Sequence, residues 1–316
     1  MNPAVRVDGL RHEYKNPGGP PRVALQGIDF EVSPGELFGV LGPNGGGKTT
    51  LFRILSTALR PTGGGARLFD TDVTSAPDAA RQKMGVVFQS PSLDKKLTVM
   101  ENLRHQGRLY GLHGAELAAR SAEMLAHLGL ADRAGDIVER LSGGLQRRAE
   151  IAKSRLHRPA LLLMDEPTTG LDPGARRDVW TYLKSLKKEG VTVLVTTHLM
   201  EEAERCDRLI ILDRGRIAAL GTPAVLKETI RGDVVWVTTV SPDILSAGLK
   251  ERFDVDAVVQ DGAVRFERDR AHELIPQIVV AFPDLVASAS VGKPTLEDVF
   301  VHHTGHRFWA DNGGPS

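Results

Sequence analysis

One glycine loop constrains this chain more than any other feature. Gly42-Pro43-Asn44-Gly45-Gly46-Gly47-Lys48-Thr49 follows the apolar run Leu37-Phe38-Gly39-Val40-Leu41 and precedes residues 49–59, which read as a helix. The loop matches the phosphate-binding pattern G-x-x-x-x-G-K-[ST] in full. Its glycines let backbone N–H groups turn inward around phosphate oxygens. The helix behind it adds the positive end of its dipole. Lys48 reaches the β- and γ-phosphates, and the Thr49 hydroxyl can ligate Mg²⁺. Such a loop works only where a buried strand feeds a helix; with the other buried apolar strands joined by helices, it predicts an α/β core with a mixed, mainly parallel sheet.

Further along, Asp165-Glu166 closes the apolar run Leu161-Leu162-Leu163-Met164. Ligands of open α/β sheets sit beyond the C-terminal ends of strands. There Asp165 would hold Mg²⁺, and Glu166 would orient the attacking water as general base. The alternative is a solvent-exposed acidic turn. Ser142-Gly143-Gly144 opens another helical stretch, as a second anion-binding helix start or as an ordinary capped helix. Gln89 ends the strand-like Gly85-Val86-Val87-Phe88 and can reach the metal or the water, or simply face solvent. His198, after another apolar strand, can sense a γ-phosphate or serve as a local cap. Tyr14, in an N-terminal strand, can stack on adenine or pack on its own sheet.

With 316 residues the chain has room for two domains. Acidic and basic side chains balance at 40 each, with no long basic run, which argues against a nucleic-acid partner. Cys206 is the single cysteine, so an intrachain disulfide is excluded and a reducing compartment fits. Residues 1–10 lack a secretory signal. The longest apolar runs, such as 160–164 and 191–195, fall short of the roughly 20 residues that span a bilayer. The expectation is a chain soluble by itself, whose membrane role comes through a partner.

Strand and helix signals alternate over residues 1–228. A helix-only stretch interrupts them, carried by Leu103, Leu109, Leu112, Leu117, Met124, Leu125 and Leu128. It predicts a helical subdomain over about 92–155. From 229 to 305 strands at 234–239, 255–260, 263–266 and 285–291 alternate with helices at 243–252 and 271–281. That β-α-β-β-α-β order predicts a small ferredoxin-like α+β domain, with a turn at Asp261-Gly262 and a last helix at 295–304. Residues 306–316 read as a tail, disordered from 311.

Taken together, residues 4–228 resemble the ATP-binding subunits of ABC transporters. Tyr14 matches their aromatic loop, Gly42 to Thr50 the Walker A motif and Gln89 the Q-loop. Leu141-Ser142-Gly143-Gly144-Leu145 matches the signature, Asp165-Glu166 Walker B, Leu171-Asp172 the D-loop and His198 the switch histidine. The resemblance implies a P-loop core with the helical subdomain inserted between Q-loop and signature. It also implies ATP and Mg²⁺ as ligands, with Thr49, Gln89 and Asp165 at the metal. Head-to-tail dimers are implied too, each ATP lying between one subunit's Gly42–Thr50 loop and the partner's Ser142, Gly143 and Gly144. Asp172 would couple the two sites.

Glu101-Asn102-Leu103, Gly107-Arg108-Leu109-Tyr110-Gly111, Pro294-Thr295-Leu296-Glu297-Asp298-Val299-Phe300 and Thr304-Gly305 are similar to the daunorubicin-resistance type of exporter subunit. That narrower resemblance implies a separate membrane permease, a place on the inner face of the cell membrane, and export of a hydrophobic compound, lipid or polysaccharide. Two positions depart from the family pattern. Leu145 stands where many members have Gln, which puts a side-chain contact to the partner's nucleotide in doubt. Gly46 stands where Ala or Ser is usual, which predicts a slightly looser loop. The competing readings are a soluble ABC ATPase acting on DNA or ribosomes and an importer's ATPase. The first usually carries two cassettes or a long coiled coil, and this chain has one cassette and no heptad run.

Overall fold

The computed structural model describes residues 2–260 and 262–308, in two compact units that meet at 217/218. Asp261 and the tail beyond 308, each the subject of an expectation above, lie outside the described residues.

The first unit runs β1 (Val5–Tyr14), β2 (Arg22–Val32), β3 (Leu37–Leu41), α1 (Lys48–Leu55), β4 (Gly63–Leu68), β5 (Thr71–Asp72), α2 (Pro77–Lys83) and β6 (Met84–Val87). Then come α3 (Val99–Leu109), α4 (Gly114–His127), two short 3₁₀ turns and α5 (Gly143–Arg155). The unit closes with β7 (Leu161–Asp165), α6 (Pro173–Lys188), β8 (Thr192–Thr197), α7 (Met200–Ala203), β9 (Arg208–Asp213) and β10 (Arg216–Gly221), within which the second unit begins.

Its centre is a parallel sheet ordered β9-β3-β8-β7-β6. Every residue of β3, β7 and β8 is buried, as both-sided coverage requires. On one face α6 and the inserted helices form a core with Trp180, Leu183, Leu162 and Val193. On the other, Phe52, Leu51, Phe38 and Leu194 pack with a second, antiparallel sheet ordered β2-β1-β4-β5. That sheet is a finding beyond the sequence reading. β1 alternates buried and exposed residues as a half-buried strand should, but the Gly63-Gly64-Gly65 start of β4 carries a turn signal. Only cross-strand pairing, Val5 with Val32 and with Leu68, makes it a strand.

The ends of the elements follow local chemistry. Thr98 and Glu101 form a reciprocal capping box on α3. Asp172 caps α6, its Oδ1 accepting from the backbone N of Gly174 at 2.9 Å and of Ala175 at 3.0 Å, with Pro173 next. α1 stops at Leu55, four residues short of the expected 59, because Thr57 turns left-handed at φ 63°. Trp180 is fully buried among α6 and the sheet. Trp180→Ala is expected to cost about 3–5 kcal/mol and to lower the melting temperature by roughly 10 °C. A midpoint moved by less than a few degrees in a thermal scan would show that the α6 face is not the main core.

The second unit contains α8 (Pro223–Glu228), β11 (Asp233–Thr238), α9 (Pro242–Phe253), β12 (Val258–Gln260), β13 (Ala263–Arg268), α10 (Ile275–Ala281), β14 (Ser288–Gly292) and α11 (Leu296–Thr304). Its antiparallel sheet is ordered β12-β13-β11-β14, with Val235, Val237, Phe266, Leu245, Leu249 and Ile278 in the core. The helix expected over 271–281 divides into a 3₁₀ turn at Ala271–Glu273 and α10, whose first turn contains Pro276. β12 starts at 258, after Asp254 turns left-handed at the end of α9.

Candidate active site

The parallel register brings four strand ends to one place. Leu41 pairs with Thr197, Asp165 with Thr196, and Val87 with Met164. The residues just beyond those ends are the glycine loop, His198, Glu166 and Gln89. They converge from 42 to 198 in sequence because neighbouring parallel strands lie about 4.8 Å apart.

Glu166 is the hub. Its carboxylate lies 3.4 Å from Lys48 Nζ and 3.0 Å from His198 Nδ1, and it accepts from Gln89 Nε2 and Thr169 Oγ1, each at 3.2 Å. Its backbone is left-handed at φ 45°, and its N–H donates to Thr196 Oγ1 at 3.0 Å. A non-glycine residue held there stores strain of the kind found at functional sites. Burial pushes the Glu166 pKa up, but the Lys48 charge and the His198 hydrogen bond outweigh it and hold the group below the ordinary glutamate range.

Asp165 behaves in the opposite way. Burial first, and then the adjacent Glu166 charge, raise its pKa, against the Thr196 hydroxyl that donates to Oδ1 at 2.5 Å. Both carboxylates are buried, so the exposed acidic turn is ruled out. Lys48 is buried as well; Nζ donates to the carbonyls of Gly42 at 2.7 Å and Pro43 at 3.1 Å. Desolvation pulls its pKa down, against the attraction of Glu166.

The glycine loop is tied rather than loose. Gly47 caps α1 at φ 110°, a conformation open to glycine. A Cβ on Gly46 would stand 2.9 Å from the Leu212 carbonyl, and Gly215 N donates to Gly46 O at 2.9 Å. Gly46 therefore allows the loop to press against the β9–β10 turn, in place of the loosening expected. Asn44 and Gly45 face solvent at the tip, with Pro43 and Thr49 half-buried. Tyr14 OH lies 3.2 Å from Thr50 Oγ1, which places the tyrosine beside the loop, its ring edge-on to His12.

Ser142, Gly143 and Asp172 stand apart from this cluster. All three are exposed at helix starts; Ser142 Oγ accepts from Leu145 N at 3.4 Å, and Leu145 packs against the core. Among the described residues, no hydrogen bond or ion pair of Ser142, Gly143, Gly144 or Asp172 reaches Lys48 or Glu166. The start of α5 is thus separate from the glycine loop within one chain.

Several residues of the site were not singled out in the sequence. Thr196 bonds both Asp165 and Glu166. Glu202, buried, accepts from Thr197 Oγ1 at 2.7 Å and from the Thr168 hydroxyl. Arg147 and Glu150 form a buried pair at 2.8 Å. One signal existed for Arg147: Gly144, Arg147 and Ile151 share a helix face by their i, i+3, i+7 spacing.

Beside Gln89 lies a groove of about 290 Å³, lined among others by Phe88, Ser92, Tyr110, Lys153 and His157. The His157 ring stacks on Tyr110 at 3.8 Å, and Nε2 donates to the Met84 carbonyl at 3.0 Å. Burial pushes the His157 pKa down to about 4 from 6.5, although the Met84 bond acts the other way. The folded pKa is the lower one, so the stabilisation is complete above 6.5 and is lost as pH falls toward 4. His157→Gln, which keeps a donor for Met84, is expected to lose about 1–2 kcal/mol less stability over that window, after discounting for partial exposure. Parallel melting-temperature profiles for the two proteins would contradict this.

A family model described as "ABC transporter" matches residues 25–169. A model described as "AAA domain, putative AbiEii toxin, Type IV TA system" matches the shorter stretch 140–204 within the same unit. The daunorubicin/doxorubicin resistance ATP-binding protein DrrA of Streptomyces peucetius is 39% identical over 96% of this chain and 93% of its own length. That extent of identity decides the matter. This chain belongs to the ABC transporter family.

Another ABC relative, the Nod factor export ATP-binding protein I of Cupriavidus metallidurans, is 46% identical over 68% of the chain and 72% of its own length. Among solved ABC cassettes, the dimeric post-hydrolysis state of MJ0796 bound to ADP and Pi superposes with a TM-score of 0.63 at 29% identity, covering 69% of this chain and 98% of that one. As an ABC ATPase the chain is an ATP hydrolase with a P-loop core.

Proposed function

We propose that this chain is the ATP-hydrolysing motor subunit of an ABC exporter, working as a head-to-tail dimer on a separate membrane permease. The observation that carries the reading is the Glu166 carboxylate, held at once by Lys48, Gln89 and His198 while Ser142 and Gly143 at the start of α5 face solvent. Relatives matched over nearly the whole chain are resistance subunits, and others are export subunits, which favours export over import. The cargo is a hydrophobic compound, lipid or polysaccharide. Among the described residues no helix is long and apolar enough to cross a membrane. Its exporter relatives favour a chain that reaches the inner face of the membrane through its permease, with coupling through the surface near Gln89 and the inserted helices.

The residues suit a Mg²⁺–triphosphate. Lys48 Nζ is already held among carbonyls and a carboxylate, the setting in which an ammonium exchanges partners for phosphate oxygens. Among the described residues no three His, Cys, Asp or Glu side chains cluster as a metal cage. Mg²⁺ needs none, since it binds through one or two carboxylates plus substrate phosphates. Thr49, Asp165 and Gln89 would hold it, and it would neutralise charge on the phosphates. Lys48 and the backbone N–H groups of Gly42, Asn44, Gly45, Gly46, Gly47 and Thr50 bind the triphosphate, with Pro43 shaping the loop and Tyr14 against the base. The Glu166 carboxylate orients the water and takes its proton. His198 holds that carboxylate and reads the γ-phosphate. Ser142, Gly143 and Gly144 close the partner's site, and Asp172 joins the two. The strand order of residues 229–305 supports a ferredoxin-like accessory domain.

The test is phosphate release by the purified chain with Mg²⁺ and with a chelator. Chelation is expected to reduce turnover by at least about 100-fold, and co-reconstitution with its permease to raise it. No Mg²⁺-dependent turnover in either setting would overturn the reading.

A further inference from the structure

The guanidinium of Arg147 makes four bonds inside the protein. Nε donates to the Pro167 carbonyl at 2.7 Å, and Nη2 to the Glu166 carbonyl at 3.2 Å. Nη1 donates to the Phe88 carbonyl at 2.7 Å and to Glu150 Oε2 at 2.8 Å. The other Glu150 oxygen accepts from Ser92 N at 2.5 Å, and Lys153 Nζ donates to Ser92 O at 2.7 Å. One helix, α5, thus holds segment 88–92 at both ends, with Gln89 between them. The same side chain grips the backbone at Glu166 and Pro167.

We propose that Arg147 is a positioning residue for Glu166, fixing the left-handed backbone that aims its carboxylate and linking that backbone to the groove-lining segment 88–92. This rests on the hydrolytic reading of Glu166 above. Three features carry it. The residue is only 6% exposed, so its bonds are shielded from water. The fork supplies donors in fixed directions, which a lysine ammonium on a flexible stem does not. And Glu166 sits at φ 45°, where an unrestrained backbone relaxes. Movement of Phe88 then reaches Glu166 through one rigid group, beside the path through the Gln89 side chain.

The experiment uses the full chain and steady-state and single-turnover ATP hydrolysis. Arg147→Lys is expected to lower kcat by about tenfold or more while the KM for ATP changes by less than about threefold. Placed in a Glu166→Gln background, the same substitution is expected to alter the residual rate by less than about twofold, because what it positions is already absent. A tenfold loss that persists in that background, or a KM that rises with the loss, would mean a merely structural role and overturn the proposal. If Arg147→Lys does not fold, Glu150→Gln decides. It breaks one end of the strap and is expected to lower kcat by at least about threefold at unchanged KM; an unchanged kcat overturns the proposal. An unaltered chain that shows no turnover at all would instead sink the hydrolytic reading, before any substitution is made.

Discussion

Glu166→Gln is expected to lower ATP turnover by about 10²–10⁴-fold, the range that a positioned general base contributes. The amide keeps the size of the side chain and one acceptor for His198, Gln89 or Thr169, so the site keeps its shape. It cannot take a proton from water, and it no longer presents a charge to Lys48 at 3.4 Å. Lys48 is then freer to pair with phosphate. ATP binding is accordingly expected to persist or tighten, and the nucleotide-bound dimer to accumulate. Single-turnover phosphate release, with binding measured in parallel, checks both halves. Turnover within about threefold of the unaltered protein would remove Glu166 from the role of base.

Mixing two inactive variants is expected to restore activity. Lys48→Ala removes the phosphate-binding cation and leaves the exposed Ser142 start intact. Ser142→Asp does the converse. Aspartate caps a helix as well as serine does, so α5 stays formed, while its charge repels a partner's phosphate. In the proposed head-to-tail dimer, each variant alone would place one defect in both composite sites. In an equal mixture about half of the dimers are mixed, and each holds one intact site of two, so about a quarter of full activity is expected. No recovery on mixing, or an active Ser142→Asp protein by itself, would show that the two anion-binding starts do not share a nucleotide.

The glycine loop, Asp165-Glu166 and His198 were legible in the sequence because each is a short motif attached to an apolar strand. The strand places it, and period and polarity announce the strand. The inserted helices were legible from their leucine spacing. The antiparallel sheet was not, since β2 and β4 take their identity from pairing with β1 across long separations and β4 begins with three glycines. Arg147 was not legible for a similar reason. Beside Arg148 it reads as a solvated charge, yet Arg148 reaches Asp178 on the surface while Arg147 is buried against three backbone carbonyls.

By itself the sequence determined the chemistry on offer: a phosphate loop, two carboxylates at a strand end, an imidazole, and a Ser-Gly-Gly helix start. It did so because those groups act through residue type and local spacing. Only the tertiary structure decided that Glu166 is the meeting point, that Asp165 and Glu166 are pushed in opposite directions, and that Arg147 ties the carbonyls of Glu166 and Pro167 to that of Phe88. Those outcomes depend on parallel register and on burial, which arise from contacts between residues tens to more than a hundred positions apart.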